Sequence, residues 1–214
     1  MGDGVSDDLK IGIMADSHGL PETISRALAF FRRQGCRTVY HLGDICDSLD
    51  DRTLVACVRL LKDHSVIALK GNNDHVQTIR KSEGGEPSDR SAARAYLTHL
   101  PLRVEAGRGI FAHSLPFIKE LGLSALTGPL EGDMVERILD RIPDRVLFRG
   151  HSHSPEIHWR EAGVLRSQRI EAGQTLGLGR RLSCIVTCGA LTRGFCMVWW
   201  PHEMAVSCHL CETK

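Results

Sequence analysis

Short apolar runs alternate with amphipathic stretches along the first third of the chain. Residues 10–15, 38–42 and 66–69 are apolar runs of the kind that form buried strands. Between them, apolar residues recur at helical spacing after Pro21 and again from Leu54. A strand, a helix and a second strand in succession form a parallel βαβ unit. This part of the sequence therefore predicts a repeated βαβ pattern and a parallel sheet.

The middle of the chain predicts a loop, a helix, a hairpin and a second irregular stretch. Residues 81–90 are rich in glycine, serine, glutamate and proline, which is typical of a surface loop, and the helix that follows should end at Pro101. Short apolar runs at 102–105 and 110–113 flank a glycine-containing turn and predict a hairpin. Residues 115–133 match no regular period, and we expect a loop or small cap over the functional site.

The last third of the chain is mainly strand-like. Residues 134–142 have helical spacing, and residues 145–148 form the next apolar run. The remaining runs are separated by glycine or proline turns and predict an antiparallel set at 157–159, 164–170, 184–187, 195–200 and 204–210. Helices that alternate with strands, followed by consecutive strands, predict an α/β protein with mixed strand pairing.

Length and charge limit the architecture and the partners. With 214 residues the chain can bury a full core, and we expect a single domain at 10–214 after a flexible N-terminal tail at 1–9. The formal net charge is +1 and the basic residues are dispersed, so the chain lacks the field that holds a polyanion. We therefore expect no extended nucleic acid as a partner.

The N-terminal residues and the cysteines predict a soluble, cytoplasmic protein. Residues 1–10 contain no apolar core of a signal peptide, and no run is long enough to cross a bilayer, so we expect no membrane partner. The eight cysteines are scattered, which favours reduced thiols over a disulfide scaffold. Cys208 and Cys211 have the spacing of half a zinc site or of a redox pair, but a partner CxxC is lacking, and a terminal strand with alternating faces is the favoured interpretation. Their role stays open.

Side chains that can bind metal follow five of the predicted strands. In an extended segment, side chains two residues apart point the same way, so D-x-H and H-x-H sequences each direct two donors into one cavity. One such pair is a weak signal, whereas a series of ligand-bearing strand ends is a strong one. The segments are Asp16-Ser17-His18, Gly43-Asp44, Gly71-Asn72-Asn73-Asp74, Ala112-His113-Ser114 and Gly150-His151-Ser152-His153.

In this order the segments resemble the motifs of the calcineurin-like metallophosphoesterase family. The family pattern is D-x-H, then G-D-x-x-D, then G-N-H-[DE], then a histidine at a strand end, then G-H-x-H. The resemblance covers about residues 10–200. It implies a metallophosphoesterase-type sandwich of two mixed β-sheets flanked by helices, with the site at the carboxyl ends of the strands. It also implies a metal-dependent phosphoester hydrolase.

The resemblance implies two divalent metal ions in a dinuclear site. One ion would be held by Asp16, His18, Asp44 and His153, and the second by Asn72, His113, His151 and the same Asp44, which bridges. Imidazole and carboxylate donors without a thiolate suit manganese first, with iron, zinc and nickel as alternatives. The expected reaction is the in-line attack of a hydroxide that bridges both ions.

Asn73 is the chief departure from the family pattern. Many relatives have a histidine here that assists the leaving group, and because some smaller phosphodiesterase-like members lack it, Asn73 points to that branch. We expect Asn73 to donate a hydrogen bond to a phosphate oxygen, while metal charge and water assist departure of the leaving group. His75 could replace the missing histidine only if this segment is extended. Asp47, which orients that histidine in relatives, is left without its partner.

A second departure lies at 187–190, where Thr-Cys-Gly-Ala stands in place of the Asn-Pro-Gly-Ser that relatives often have. The glycine turn is kept, but the flanking polar groups that could contact phosphate are lost. Arg193 lies close enough in sequence to supply such a contact.

The expected substrate is a phosphodiester or a small nucleotide, because the chain is short and has no large recognition domain. A phosphomonoesterase and a non-catalytic scaffold on the same fold are the alternatives, and the near-neutral charge argues against a nuclease. The sequence does not specify the natural substrate, the native metal or the oligomeric state, and a homo-oligomer remains an option. Histidines outside the motifs, His41 among them, are expected to be ordinary structural residues.

Overall fold

Two six-stranded β-sheets face each other in a computed structural model, which describes residues 9–80, 87–179 and 183–211. Apolar side chains from both sheets fill the space between them, and helices pack on their outer faces. The predicted α/β sandwich of two mixed sheets is therefore confirmed. The assignment of residues 10–214 to one domain stays a prediction, and residues 1–8 of the predicted tail lie outside the described residues.

The first sheet contains the parallel strands that the N-terminal pattern predicts. Its strands are β1 Ile11–Met14, β2 Thr38–His41, β3 Ile67–Ala68, β9 Thr175–Gly177, β11 Phe195–Trp200 and β12 Ala205–Leu210. Their order across the sheet is β3-β2-β1-β11-β12-β9. β1 pairs in parallel with β2, and β2 with β3, whereas β11 is antiparallel to β1. The carboxyl ends of β1, β2 and β3 therefore lie at one edge of the sheet.

The second sheet combines the predicted hairpin with further parallel strands. Its strands are β4 Arg103–Ala106, β5 Gly109–Ala112, β6 Val146–Arg149, β7 Glu156–Glu161, β8 Val164–Arg169 and β10 Cys184–Thr187. Their order is β4-β5-β6-β10-β7-β8. Within the predicted antiparallel set, β10 pairs antiparallel with β7, and β7 with β8. β10 also pairs in parallel with β6, a strand outside that set, which the sequence did not indicate. An apolar run shows that a strand is buried but not which strands lie beside it.

The helices among the described residues are α1 Pro21–Gln34, α2 Leu54–Asp63, α3 Asn72–Ile79, α4 Ser88–His99, α5 Ile118–Leu121 and α6 Gly132–Arg141, with short 3-10 helices at Gly122–Leu126 and Leu191–Arg193. Four of these six α-helices, α1, α2, α4 and α6, lie close to the predicted positions. Gly35 ends α1 with φ of 76°, a left-handed conformation that glycine adopts at little cost. A Cβ on Gly12 would lie 2.6 Å from the ring of Phe31, so glycine lets α1 approach β1 closely.

An aromatic group joins the two sheets. The ring of Tyr40 stacks on that of Phe111 with 3.9 Å between the ring centroids. Trp199 lies 6.1 Å from Phe111 and 4.8 Å from Phe148, again between centroids. Burying a large apolar side chain contributes about 1.5–3 kcal/mol. This group therefore stabilises the face-to-face packing that brings the strand ends of both sheets together.

Three segments differ from the sequence prediction. Residues 72–79 form α3, which the apolar pattern does not indicate. The predicted loop at 81–90 is wrong at its end because α4 begins at Ser88, and residues 81–86 lie outside the described residues. The stretch 115–133 is not only loop, since it contains α5 and a 3-10 helix.

The C-terminal cysteines lie in and after a terminal strand. Cys208 is a buried residue of β12, as the strand interpretation predicts. The sulfur of Cys211 lies 2.9 Å from that of Cys196, and both side chains are buried. The eight cysteines are thiols that do not form disulfides in the described structure. Within the described ranges, no helix combines the length and the apolar character needed to cross a bilayer.

Candidate metal centre

Hydrogen bonds tie together the segments that follow the strand ends. The backbone amide of Asp16 donates to the carbonyl of Gly43, and that of His18 donates to the carbonyl of Asp44, both at 3.0 Å. The amide of His151, from the second sheet, donates to a carboxylate oxygen of Asp16 at 3.0 Å. Loops from both sheets are therefore held around one polar site.

Five of the seven predicted ligands have a left-handed backbone conformation. Their φ angles lie between 42° and 68°, and the residues are Asp16, His18, Asp44, His151 and His153. A non-glycine residue in this region costs of order 1–3 kcal/mol and persists only where its surroundings fix it. Such strain concentrates at functional sites, and here it coincides with the predicted metal ligands.

Close packing at the site requires two of the motif glycines. A Cβ on Gly71 would lie 2.1 Å from the backbone nitrogen of Asp44. A Cβ on Gly150 would lie 2.8 Å from a carboxylate oxygen of Asp16. Any larger residue at either position would displace a carboxylate that is a predicted ligand.

Asp16, His18 and His153 form a first group of donor atoms. Nε2 of His18 lies 3.0 Å from Nε2 of His153. Nε2 of His153 lies 3.7 Å from Oδ1 of Asp16. The three donor atoms lie within 4.8 Å of one another, a spacing at which they can bind a single cation.

Asp44, Asn72, His113 and His151 form a second group beside the first. Nε2 of His113 lies 3.0 Å from Oδ1 of Asn72 and 3.5 Å from Oδ1 of Asp44. The rings of His113 and His151 are neighbours, with centroids 5.1 Å apart. Donor atoms of Asp16, Asp44 and His113 also lie within 4.8 Å of one another, so Asp16 connects the two groups. The bridging role of Asp44 stays a prediction.

Burial determines the protonation of both groups. Burial raises the pKa of the Asp16 carboxyl to about 7 and that of Asp44 to about 8, although backbone amides that donate to them act in the opposite direction. Burial also lowers the pKa of each histidine among the predicted ligands, namely His18, His113, His151 and His153. Neutral imidazoles offer lone pairs to a cation, and a nearby cation lets buried carboxylates ionise.

The donor set fits divalent transition metals. Nδ1 of His113 lies 2.9 Å from the carbonyl oxygen of Leu42, so Nδ1 carries the proton and the lone pair of Nε2 faces the site. The remaining donors are imidazole nitrogens, carboxylate oxygens and one amide oxygen, without a thiolate. This chemistry suits manganese, iron, nickel or zinc better than calcium.

Asp74, which sequence reasoning left without a role, organises the loops of the site. Its buried carboxylate accepts hydrogen bonds from the backbone amides of Ile45, Cys46 and Gly71 at 2.8 to 3.0 Å. The bond to Gly71 belongs to a capping arrangement at the start of α3. Asp74 therefore joins the loop after β2 to the first turn of α3.

His41 lies beneath the site as a buried, hydrogen-bonded residue. Its Nε2 lies 3.0 Å from the hydroxyl of Ser17, and the backbone amide of Gly43 donates to its Nδ1 at 3.3 Å. Burial lowers its pKa to about 3, so the ring is neutral. These contacts hold Ser17 in place between the predicted ligands on either side of it.

The helical conformation of α3 changes the expectations for Asn73 and His75. The backbone amide of Asn73 donates to Oδ1 of Asp44 at 2.9 Å, and its side-chain nitrogen lies 2.8 Å from Nδ1 of His18. His75 was expected to replace a missing proton donor only in an extended segment. Because the segment is a helix, side chains two residues apart point in different directions, so this condition is not met.

The segment 115–133 contacts the site at residues 127–128, near the end of the predicted cap. The ring of His151 hydrogen-bonds the backbone of Thr127. The hydroxyl of Ser114 donates to the carbonyl of Gly128 at 2.6 Å. Residues 127–128 therefore orient the predicted ligand His151 and lie against Ser114, which directly follows the predicted ligand His113.

Two arginines lie near the predicted ligands. Arg193 is exposed, and its charge helps burial to lower the pKa of His153, which places it close to that ring. Arg149 is fully buried and donates to Ser114 and Ser152, and sequence reasoning missed it. The available signal was a charged residue at the end of an apolar run, directly before the G-H-x-H motif.

Comparison with known proteins agrees with the motif resemblance. A family model for the calcineurin-like phosphoesterase superfamily domain matches residues 9–179. A search of curated protein sequences finds no match. The fold is similar to the crystal structure of a metallophosphoesterase from Sphaerobacter thermophilus, with 20% sequence identity, a TM-score of 0.76, and coverage of 96% of this chain and 89% of that chain.

Two further solved structures share the fold. A hypothetical protein from Pyrococcus horikoshii is 13% identical with a TM-score of 0.69, over 96% of this chain and 89% of that chain. A protein serine/threonine phosphatase from Saccharomyces cerevisiae is 15% identical with a TM-score of 0.54, over 99% of this chain and 82% of that chain. At such low identity the similarity concerns the fold alone.

Proposed function

Because this chain belongs to the calcineurin-like phosphoesterase superfamily, we propose that it is a metal-dependent hydrolase that acts on a phosphodiester or a small nucleotide. The observation that carries this proposal is the convergence of donor atoms from five strand ends on one polar site. The proposed cofactors are two divalent ions, with manganese first. The proposed ligands are Asp16, His18, Asp44, Asn72, His113, His151 and His153.

The charge of the proposed ligand set favours a phosphoester as substrate. Two divalent cations carry four positive charges, and only Asp16 and Asp44 among the ligands are anionic, so the site keeps a formal charge of +2. A carboxylate at position 72 would reduce this positive charge, whereas the neutral amide of Asn72 leaves it unchanged. When bound, the cations supply Lewis-acid charge to a phosphoryl oxygen and acidify a water molecule.

The chain holds the donor groups in place before substrate arrives. The carbonyl of Leu42 fixes the tautomer of His113. The backbone amide of Asn73 holds the carboxylate of Asp44 from one side. Because these contacts are made by backbone groups of the fold, the donors need little reorganisation to bind a phosphoester.

Asn73 can orient a ligand and contact phosphate at the same time. A cation on Nε2 of His18 requires the ring proton on Nδ1, 2.8 Å from the Asn73 amide. The amide then turns its oxygen to that proton, because hydrogen-bond partners decide the orientation of an asparagine side chain. Its nitrogen becomes available to donate to a phosphate oxygen.

Arg193 is a further proposed phosphate contact. It ends the 3-10 helix Leu191–Arg193, whose first residue is tied to the site by a hydrogen bond from the backbone amide of Leu191 to the carbonyl of Ala15. The guanidinium is exposed and lies near His153. A planar guanidinium binds phosphate oxygens in pairs, so it could hold the non-reacting oxygens of a substrate.

The absence of a histidine at position 73 supports a phosphodiesterase in preference to a phosphomonoesterase. The test is a panel of aryl phosphodiesters, nucleotides and phosphomonoesters, assayed with metal-free protein reloaded with manganese, magnesium, nickel or zinc. We expect the highest kcat/KM for a phosphodiester with manganese.

Each other outcome of the panel has a defined meaning. A higher kcat/KM for phosphomonoesters would reverse the substrate assignment but keep the hydrolase. No turnover, together with bound metal near zero by elemental analysis, would overturn the hydrolase and favour a non-catalytic scaffold on the same fold.

A further inference from the structure

Arg149 is a fully buried cation directly behind the proposed metal centre. It is the last residue of β6 and precedes Gly150-His151-Ser152-His153 in the chain. Its side chain is 0% exposed, and it is one of the largest fully buried side chains of the described residues. Buried arginines are rare, because moving a charge out of water is costly.

The guanidinium is held by neutral oxygens. Its Nε donates to the carbonyl of Ser114 at 3.1 Å, and Nη2 donates to the hydroxyl of the same residue at 2.8 Å. Nη1 donates to the hydroxyls of Ser152 at 2.7 Å and Thr187 at 3.3 Å. Among the described residues Arg149 forms no direct ion pair with a carboxylate, although the Asp16 carboxyl is near enough for its charge to oppose the lowering of the guanidinium pKa by burial.

A contribution to the stability of the fold is a poor explanation for the buried charge of Arg149. An apolar side chain of similar volume would avoid the cost of desolvation, and such replacements are often neutral or stabilising. The position of the acceptors gives a better explanation. Ser114 directly follows His113, and Ser152 lies between His151 and His153, so one rigid group contacts both histidine-bearing loops.

The same network extends to the segment 115–133. The hydroxyl of Ser114, which accepts from Arg149, donates to the carbonyl of Gly128. The neighbouring Thr127 hydrogen-bonds the ring of His151 through its backbone. A Cβ on Gly128 would lie 2.1 Å from a terminal carbon of the Leu115 side chain, so a larger residue here would require that side chain to move.

We propose that Arg149 is a positioning residue that fixes His113, His151 and His153 relative to one another so that they can hold the metal ions. The inference rests on the proposed function, because it concerns how the proposed ligands are arranged. A guanidinium is suited to this role, since its N–H groups point in fixed, coplanar directions toward separate acceptors. A lysine at the same position would keep the charge but could not reach three residues at once.

The first test compares wild-type protein with Arg149→Lys and Arg149→Met. Each metal-free protein is titrated with Co²⁺, and binding is followed by calorimetry and by the visible absorption of the ion, which reports its coordination geometry. We expect both variants to bind roughly 10–100-fold more weakly than wild type, with an altered spectrum. Circular dichroism verifies that each variant is folded.

The outcomes of this titration separate the inference from the proposed function. Wild-type protein that binds no Co²⁺ would overturn the proposed metal centre and this inference with it. Wild-type binding matched by a folded Arg149→Met protein, with the same affinity and spectrum, would overturn the inference alone. Recovery of wild-type affinity in Arg149→Lys would also overturn it, because charge and not geometry would then be the requirement.

A second pair of variants tests the positioning role of Arg149 if substitutions at Arg149 itself prevent folding. Ser152→Ala and Thr187→Val each remove one hydroxyl that accepts from the same Nη1, but only Ser152 lies on a loop with predicted ligands. We expect Ser152→Ala to weaken Co²⁺ binding by about 5-fold or more and Thr187→Val to change it by less than about 2-fold. Equal effects of the two substitutions on affinity would contradict the positioning role.

Discussion

Asp44 shows how a single side chain can connect the parts of the proposed centre. Its carboxylate is 3% exposed, accepts a hydrogen bond from the backbone of Asn73, and lies 3.5 Å from Nε2 of His113. Burial raises its pKa to about 8, so the ionised form depends on nearby positive charge. Among the proposed ligands, Asp44 is therefore a sensitive position for substitution.

Replacing Asp44 with asparagine should abolish turnover and leave the fold intact. The substitution keeps the size of the side chain but removes the charge, and we expect kcat/KM at saturating manganese to fall by at least ~10²-fold. Asp50→Asn is the matched control, since Asp50 pairs with Arg52 on the surface. Activity retained in manganese-loaded Asp44→Asn would contradict the ligand assignment.

The missing proton donor at Asn73 predicts a dependence on the leaving group. In wild-type protein, rates should fall steeply as the leaving group of an aryl phosphodiester becomes more basic, because metal charge and water alone assist its departure. Asn73→His should flatten this dependence and raise the rate for the most basic leaving groups by roughly 10²-fold.

A series of aryl phosphodiesters, assayed with wild type, Asn73→His and Asn73→Ala, measures this slope. The alanine variant is the control, because it also lacks a proton donor and should keep the steep slope. A flat dependence in the wild-type protein would show that another group already supplies the proton.

The sequence predicts the helices and strands whose signals lie within their own residues. The strand β1, the helix α1 and the strand β2 follow from apolar spacing and from Pro21 and Gly35 at the helix ends. The helix α3 could not be predicted in this way, because Asp74 stabilises its start through contacts with Ile45 and Cys46, which lie 29 and 28 residues earlier in the chain. The edge strand β9 has three residues, which is too short for a periodic signal.

Between β3 and α3 there is no room for a side chain at position 71. A Cβ on Gly71 would collide with the backbone of Asp44, so Gly71→Ala should move the loop that carries this carboxylate. We expect a lower melting temperature and a loss of bound manganese after dialysis, measured by calorimetry and elemental analysis.

Gly177→Ala provides the control for this substitution. Gly177 lies in β9, and a Cβ at that position would meet no atom within 4 Å. Its melting temperature and metal content should match those of wild type. Equal metal content in Gly71→Ala would show that the close approach at Gly71 is not needed by the centre.

In the whole molecule, the sequence predicted side chains that the structure brings together, but it did not predict the residues that support them. The order of the motifs predicted which strand ends come together, because five short motifs in a fixed order form a strong signal although each one alone is weak. Arg149 was missed because its significance depends on burial and on Ser114 and Thr187, which are remote in sequence. Support of this kind is a property of the packed structure, and its one trace in the sequence is the charged residue directly before the G-H-x-H motif.

The packing of the two sheets can be tested at Trp199. The side chain is fully buried against Phe111 and Phe148, so Trp199→Ala should lower the free energy of unfolding by about 3–5 kcal/mol. In the described structure its indole nitrogen has no hydrogen-bond partner, so Trp199→Phe loses no hydrogen bond, leaves a smaller cavity and should cost less than the alanine substitution. Urea unfolding measures both values, and equal losses for the two variants would contradict this account of the core.

The whole fold should also respond to pH through its buried carboxyls when metal is removed. The pKa values of about 7 for Asp16 and about 8 for Asp44 in the folded protein exceed the ordinary value of 3.8. The folded state therefore keeps protons on these carboxyls that the unfolded state releases. Below the ordinary histidine pKa of 6.5 the buried histidines, whose pKa values are lowered, act in the opposite direction. From about pH 6.5 to about pH 8 the carboxyls dominate, and the free energy of unfolding should fall as pH rises. Melting temperatures in the presence of a chelator should be lower near the top of this range.

Manganese should reverse this loss of stability. A cation that binds the folded state stabilises it by mass action, and it takes the place of the protons on the carboxyls. At about pH 8, added manganese should raise the melting temperature of wild type more than that of Asp44→Asn. The opposite result would be a melting temperature of the chelated protein that rises with pH over this range. It would mean that the protein itself stabilises these carboxylates as anions, so that they would not need a cation in order to ionise.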